Sequence, residues 1–202
     1  MLGGDQARIR MVYSLLFSLP GTPVLFYGEE IGMAEELSVE GRNAVRTPMQ
    51  WSDDRNGGFS TADPDKLPAP VVKGEYGPEK VNVAAQLRDP DSLLSFLTLL
   101  IRRYRQCPEL AWGKFTLLEH DVESVLAHRS DHEGGTVVVL HNLGAEPAEV
   151  TVRLDGIDSG DRLVDLLADG SVPVENADAT VRVDGHGCRW LRLTRSGENV
   201  IP

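Results

Sequence analysis

Ile9, Val12, Tyr13, Leu16 and Phe17 recur at i, i+3, i+4, i+7 and i+8, the spacing of one apolar helix face. Asp5, just ahead of them, is a residue type that caps helix N-termini, and Pro20-Gly21 ends the pattern. TPVLFYG (22–28) then reads as a continuous apolar run of strand length, the signature of a parallel strand covered on both faces. Helix, short turn and buried strand predict one αβ unit of a parallel α/β fold. The apolar stretch 11–28 is interrupted by Pro20, Gly21 and Pro23. Neither half reaches the roughly 18 residues of a membrane span. No small-residue cleavage site follows it.

From Glu29 to Arg88 the periodicity is lost, and Gly, Pro, Asn and Asp recur at close intervals. So long an irregular stretch is usually functional or disordered. Trp51, Phe59 and Tyr76 make it too aromatic for a simple linker, so it is expected to lie ordered over another surface. A second helix is predicted from Asp89-Pro90, an N-cap followed by Pro at N1. Its stripe is Leu93, Leu97, Leu100, Ile101 and Tyr104, with Arg102, Arg103 and Arg105 near the C-terminal end, where cations suit the helix dipole.

After Trp112 the period changes to that of strands. KFTLLE (114–119), ESVLAHRS (123–130), TVVVLHNL (136–143), AEVTVRL (148–154), a pair around 162–174, ATVRVD (179–184) and CRWLRLT (188–194) are separated by Gly, Asp and Asn turns. Seven or eight short strands at this spacing predict an antiparallel sandwich or barrel. The domain boundary is expected near 108–113.

Composition changes little in this picture. The 202 residues are 41% hydrophobic and 25% charged, with a formal net charge of −11. That charge argues against nucleic acid or an anionic membrane as a partner. Cys107 and Cys188 have no neighbouring cysteine and no metal-ligand spacing, which reads as two buried thiols in a reducing cytoplasm.

Candidate chemistry is sparse. Glu29-Glu30 end the apolar strand, where catalytic groups of parallel barrels collect. Neighbouring residues on a strand point to opposite faces, so the pair cannot supply both carboxyl groups of a glycosidase; one is expected at a site rim. Glu35-Glu36 and Asp53-Asp54 read as solvated loop charges. His128 and His132 have a helical metal-pair spacing but fall at a strand end without a third ligand. No Ser occupies a Gly-x-Ser-x-Gly elbow. In RNAVRTPMQW (42–51), Arg42 and Arg46 carry forked donors suited either to carboxylates that tie down the loop or to paired sugar hydroxyls.

LPGTPVLFYGEEIGM (19–33), RNAVRTPMQW (42–51), NGGFS (56–60), VNVAAQ (81–86) and DPDSLL (89–94) resemble the end of an α-amylase superfamily enzyme. The group within glycoside hydrolase family 13 is the one holding trehalose synthase, oligo-1,6-glucosidase and α-glucosidase. GRNAVRTPMQWS, with Asn43 where the oligoglucosidases commonly have Asp, leans toward the trehalose synthases. The resemblance covers roughly 1–112 through specific motifs and 113–195 only as a generic C-terminal β domain.

The resemblance implies a (β/α)8 barrel whose eighth strand is 22–28 and whose last helix is 90–106, followed by an antiparallel C-terminal β-sandwich. Residues 1–108 would be the end of the catalytic barrel, with loop 29–88 over its active-site face, and 109–202 the β-sandwich domain. The family's nucleophilic Asp, acid/base Glu and second Asp come from the fourth, fifth and seventh strands, and no segment here matches them. The expectation is therefore a C-terminal fragment of a cytoplasmic enzyme that interconverts maltose and trehalose, inactive alone. It would need a missing N-terminal barrel portion or an oligomer partner. Arg42 and Arg46 would face the sugar, Glu29 would line the pocket rim, and Trp51 would pack beneath the loop. No cofactor is implied; a structural calcium belongs to the full-length family, with no site evident in these residues. The alternatives are a fragment of an α-glucosidase or oligo-1,6-glucosidase, and a non-catalytic β-sandwich module that binds carbohydrate or serves assembly.

Overall fold

The computed structural model describes residues 2–197; the last five residues of the expected β domain lie outside them. Two compact units are present, Met1–Pro23 with Leu99–Pro202 and Val24–Thr98.

In the first unit, helix α1 (Gln6–Ser18) starts where expected, because the Asp5 carboxylate accepts from the Ala7 and Arg8 amides at 2.9 and 3.1 Å. Its fully buried face shares only Phe17 with the predicted stripe. Met11, Ser14, Phe17 and Ser18 are buried, whereas Val12 and Leu16 are exposed. Ser14 can be buried because both of its partners are inside: Trp190 Nε1 donates to Ser14 Oγ at 2.8 Å, and the same oxygen lies 2.8 Å from His141 Nε2. Val12 and Leu16 stay 38% and 39% exposed, so pattern alone assigns them inward and the fold leaves them partly open.

Eight strands follow the short helix Pro108–Trp112. They are β1 (Lys114–Leu117), β2 (Val125–His132), β3 (Gly135–Asn142), β4 (Ala148–Arg153), β5 (Arg162–Asp165), β6 (Ser171–Pro173), β7 (Asp178–Val183) and β8 (Cys188–Thr194). Every pairing is antiparallel, in a six-stranded sheet ordered β1-β2-β3-β8-β5-β6 and a two-stranded sheet β4-β7. The β2–β3 hairpin closes through Glu133-Gly134, both at positive φ (47° and 85°), the two-residue turn whose twist matches the strands.

Alternation then divides the side chains. Ala127, Val138, Leu140, Leu163 and Leu191 of the large sheet meet Val150, Val152, Ala179, Val181 and Val183 of the small one in a single apolar core. The other face of β2, β3 and β8 holds His128, Val139, His141 and Trp190, all without solvent exposure, and α1 packs there through Ser14. Both faces of β3 are covered, which explains its unbroken TVVVL run. Arg192 donates to the buried Glu109 carboxylate at 2.8 Å and to the Gln106 carbonyl at 2.7 Å. Asp165, paired with Arg189, also accepts from the Leu167 and Ala168 amides at 2.8 and 3.0 Å.

In the second unit, the apolar run after Pro23 pairs with no strand among the described residues. Val24 is 77% exposed and Phe26 44%. A parallel strand exists only through its neighbours, and no other parallel strand is present among the described residues. Five 3₁₀ turns follow, at Glu29–Ile31, Gly41–Val45, Arg55–Gly58, Pro64–Lys66 and Gly74–Tyr76. One four-residue helix, Val83–Gln86, was not expected from the pattern; Asn82 caps it by accepting from the Ala85 amide at 2.7 Å. The next helix in the chain runs over Leu93–Arg105, and its residues from Leu99 onward belong to the first unit. It begins three residues later than the Asp89-Pro90 signal suggests. Ser92 Oγ takes the capping role by accepting from the Ser95 amide at 3.1 Å, while Asp89 accepts from the Asp91 amide in the turn before it.

Among the described residues, no helix is long and apolar enough to cross a membrane, and no group of three His, Cys, Asp or Glu could hold a metal ion. Cys107 and Cys188 are unpaired. Burial pushes the Cys107 thiol up to about 11, so it is no thiolate nucleophile at neutral pH.

Candidate functional site

The site begins at a turn that only glycine permits. Gly28 has φ 87°, and a Cβ there would lie 2.6 Å from Met33 Sδ. Its carbonyl accepts from the Ile31 and Met33 amides at 3.3 and 2.9 Å, and its own amide donates to Glu30 Oε2 at 2.7 Å. The turn thereby places Tyr27 and Glu30 on one side. Tyr27 Oη donates to the Thr47 carbonyl at 2.8 Å, which brings the RTPMQW segment to the same place.

Amide side chains, not arginines, hold that segment. Gln50 is fully buried and donates to the Tyr76 carbonyl at 3.0 Å and to the Val81 carbonyl. The Gln50 and Trp51 carbonyls accept from the Val83 and Ala84 amides at 3.0 and 2.9 Å. Asn56, at φ 56°, donates to the Ser60 and Ala62 carbonyls, both at 2.8 Å. The Gly57 carbonyl accepts from the Trp51 and Ser52 amides at 2.8 and 3.1 Å. Gln86 donates to the Ile31 carbonyl at 2.7 Å and accepts from the Leu94 amide at 3.1 Å. RTPMQW, NGG and VNVAAQ are thus parts of one hydrogen-bonded frame. An irregular backbone has no ladder of its own, so buried side-chain amides complete its hydrogen bonding.

This frame lines a cavity of about 320 Å³ with Tyr27, Glu30, Arg46, Thr47, Trp51 and Phe59, completed by Pro48, Met49, Pro68 and Ala69. Arg46 is therefore at the cavity wall, and Arg42, exposed on the preceding turn, is not. Neither arginine has an ion pair or side-chain hydrogen bond among the described residues, so the tie-down reading of this pair has no support in the contacts. Glu29 is exposed and accepts from the Phe26 amide at 3.2 Å; its neighbour Glu30 lines the cavity instead. Trp51 does not pack beneath the loop: it is 51% exposed and forms part of the wall. Thr47 is buried, and its Oγ1 has no partner among the described residues.

Walls that are mostly apolar, with a few polar groups converging, are what a small-molecule site requires. One guanidinium and one carboxylate can orient a polyhydroxylated ligand. They offer no pair of carboxyl groups with which to cleave a glycosidic bond. The aromatic content of 29–88 marks the loop as functional in the sequence. The amide frame leaves no such mark, because Gln and Asn are equally common on exposed turns.

The chain matches the α-amylase catalytic domain over residues 1–113 and a sucrose hydrolase-like C-terminal domain over 134–192. It is 39% identical to a trehalose synthase of Pimelobacter sp. (strain R48), over 96% of this chain and 35% of the relative. It is 44% identical to a trehalose synthase of Thermus thermophilus, over 71% of this chain and 15% of that one. The chain thus spans about a third or less of the length of these relatives. Among solved structures, the trehalulose synthase of Pseudomonas mesoacidophila MX-45 superposes with a TM-score of 0.73 at 23% identity, over 96% of this chain and 40% of that one. At that identity the likeness bears on fold alone.

Proposed function

The chain belongs to the α-amylase family, and on that premise we propose that it is the carboxy-terminal part of a trehalose-synthase-like enzyme and supplies one wall of its sugar site. The observation that carries this reading is Arg46, free of any protein partner among the described residues, on the wall of a cavity built from the segments that resemble the trehalose synthases. In this reading Arg46 faces the sugar or a carboxylate beside it, with Arg42 and Glu29 at the outer rim. The division between barrel portion and β-sandwich lies at 108/109.

The reaction is interconversion of maltose and trehalose by retaining double displacement. An Asp carboxylate attacks the anomeric carbon while a Glu carboxylic acid protonates the departing glucose oxygen. The released glucose reorients, and its anomeric hydroxyl attacks the glycosyl-enzyme as the Glu carboxylate takes back the proton. No water is consumed and no cofactor is needed. The carboxyl groups would come from upstream barrel strands, which would also cover Val24 and Phe26. The cytoplasm is the proposed compartment, consistent with unpaired Cys107 and Cys188.

The test is a pair of assays. The chain alone, given maltose, forms neither trehalose nor glucose. Joined to the region of the Pimelobacter enzyme upstream of the match, it forms trehalose, and Arg46→Ala in that fusion lowers kcat/KM by about 100-fold or more, the loss of a charged hydrogen bond or two. Turnover by the chain alone, or a fusion indifferent to Arg46→Ala, defeats the reading. A fusion that releases only glucose identifies an α-glucosidase parent instead.

A further inference from the structure

Two aromatic residues line the cavity wall and are each half exposed. Trp51 and Phe59 are 51% and 50% exposed, though their backbones are fixed. The Trp51 amide donates to the Gly57 carbonyl at 2.8 Å, its carbonyl accepts from the Ala84 amide at 2.9 Å, and the Phe59 amide donates to the Asn56 carbonyl at 3.2 Å. Half-exposed rings on a pinned backbone lose little freedom when a ligand covers them. Around them the wall is apolar, through Pro48, Met49, Pro68 and Ala69. Its charged side chains are Arg46 and Glu30; the Thr47 hydroxyl is buried behind the wall and does not face the cavity.

This combination selects a chemistry. A pyranose ring has an apolar C–H face and a hydroxyl rim; the face suits an aromatic wall, and the rim suits a forked donor and a carboxylate acceptor. The charges of Arg46 and Glu30 cancel, and the chain carries −11 overall, so a phosphorylated sugar gains nothing from the local field. We propose that Trp51 and Phe59 form a stacking wall on which this chain, without the rest of the barrel, holds an uncharged pyranose. The proposal rests on the sugar-site reading above and adds to it the residues that grip the ring.

The experiment follows the indole N–H signals of the chain's three tryptophans, Trp51, Trp112 and Trp190, assigned by single Trp→Phe variants. The dispersed signal of Trp190, buried and bonded to Ser14, reports that the chain is folded. Titration with glucose or maltose moves the Trp51 signal along a saturating curve and leaves the other two in place. Sorbitol, which has no ring face, does not move it, and glucose 6-phosphate binds no better than glucose. By saturation transfer to the sugar protons, Trp51→Ala binds about tenfold more weakly, whereas Trp51→Phe keeps most of the affinity. A Trp51 signal unmoved by either sugar, a Trp51→Ala chain that binds as tightly as the parent, or tighter binding of glucose 6-phosphate each overturns the proposal. A fusion active on maltose with an unmoved Trp51 removes the stacking wall alone. An inactive fusion with a shifting Trp51 removes the function and leaves the wall.

Discussion

The β-sandwich and the irregular excursion are both ordered, but by different physics. In the sandwich, Val137, Val138, Val139 and Leu140 of β3 are all fully buried, and each strand obtains its hydrogen bonds from a neighbour. Its order is distributed: many apolar side chains each contribute on the order of 1.5–3 kcal/mol of burial. In the excursion, Leu37, Trp51, Phe59 and Tyr76 are exposed. Three buried amides (Gln50, Asn56 and Asn82) and the half-buried Gln86 hold the backbone. Concentrating order in a few polar contacts leaves the wall of a cavity free for a ligand, and makes each of those contacts harder to replace. The region suited to function is thus the one with less apolar redundancy.

The largest effect tests the sandwich. His128 and His141 are buried in it, with burial lowering His128 to about 4 and burial together with His128 lowering His141 to about 3. In the unfolded chain both titrate near 6.5. Above that pH both are neutral in either state and contribute no pH dependence. As pH falls below 6.5 only the unfolded state takes up protons, so stability drops until the folded-state values are reached. The loss by pH 4 is on the order of several kcal/mol. Urea midpoints between pH 7 and pH 4 measure it, and His128→Phe should flatten the slope. A midpoint constant over that range contradicts the burial of these rings.

Next comes a cavity in the apolar core. Leu140→Ala should cost about 2–5 kcal/mol by denaturant unfolding, with the indole signal of Trp51 unchanged until the global transition. The converse variant acts on the frame. Gln50→Leu leaves the Tyr76 and Val81 carbonyls without their donor, at about 1–3 kcal/mol. Hydrogen exchange should accelerate at Trp51, Ser52, Val83 and Ala84 while the β3 amides stay protected. If Gln50→Leu instead lowers protection across β3, the two regions do not order by separate means.

The strands were legible because the period of two survives in short runs such as AEVTVRL and ATVRVD, which appear as β4 and β7. The Gly and Asp turns fall between strands, as at Glu133-Gly134. Helix α1 was placed correctly by Asp5, yet its inward face was misread. Ser14 and Ser18 look polar in the sequence, and only the distant Trp190 and His141 make Ser14 an interior residue. The same limit applied at the site. Arg42 and Arg46 could both be singled out by their forks of donors and by resemblance, but the sequence does not say that Arg46 is the one at the cavity wall. Glu30 and Glu29 differ only in which way the Gly28 turn sends them. Trp51 looks like packing until the course of the Gly57 turn is known.

The sequence by itself determined the Asp5 cap, the run of short strands after Trp112 and the family motifs, since each is written in neighbouring positions. Tertiary structure alone decided which arginine reaches the cavity, that side-chain amides rather than Arg42 and Arg46 hold the RTPMQW segment, and that Trp51 is half exposed at the cavity wall. Those outcomes depend on contacts between residues far apart in the chain, such as Gln50 with Val81 and Tyr27 with Thr47. No local pattern of side-chain types encodes the direction in which such contacts turn the backbone.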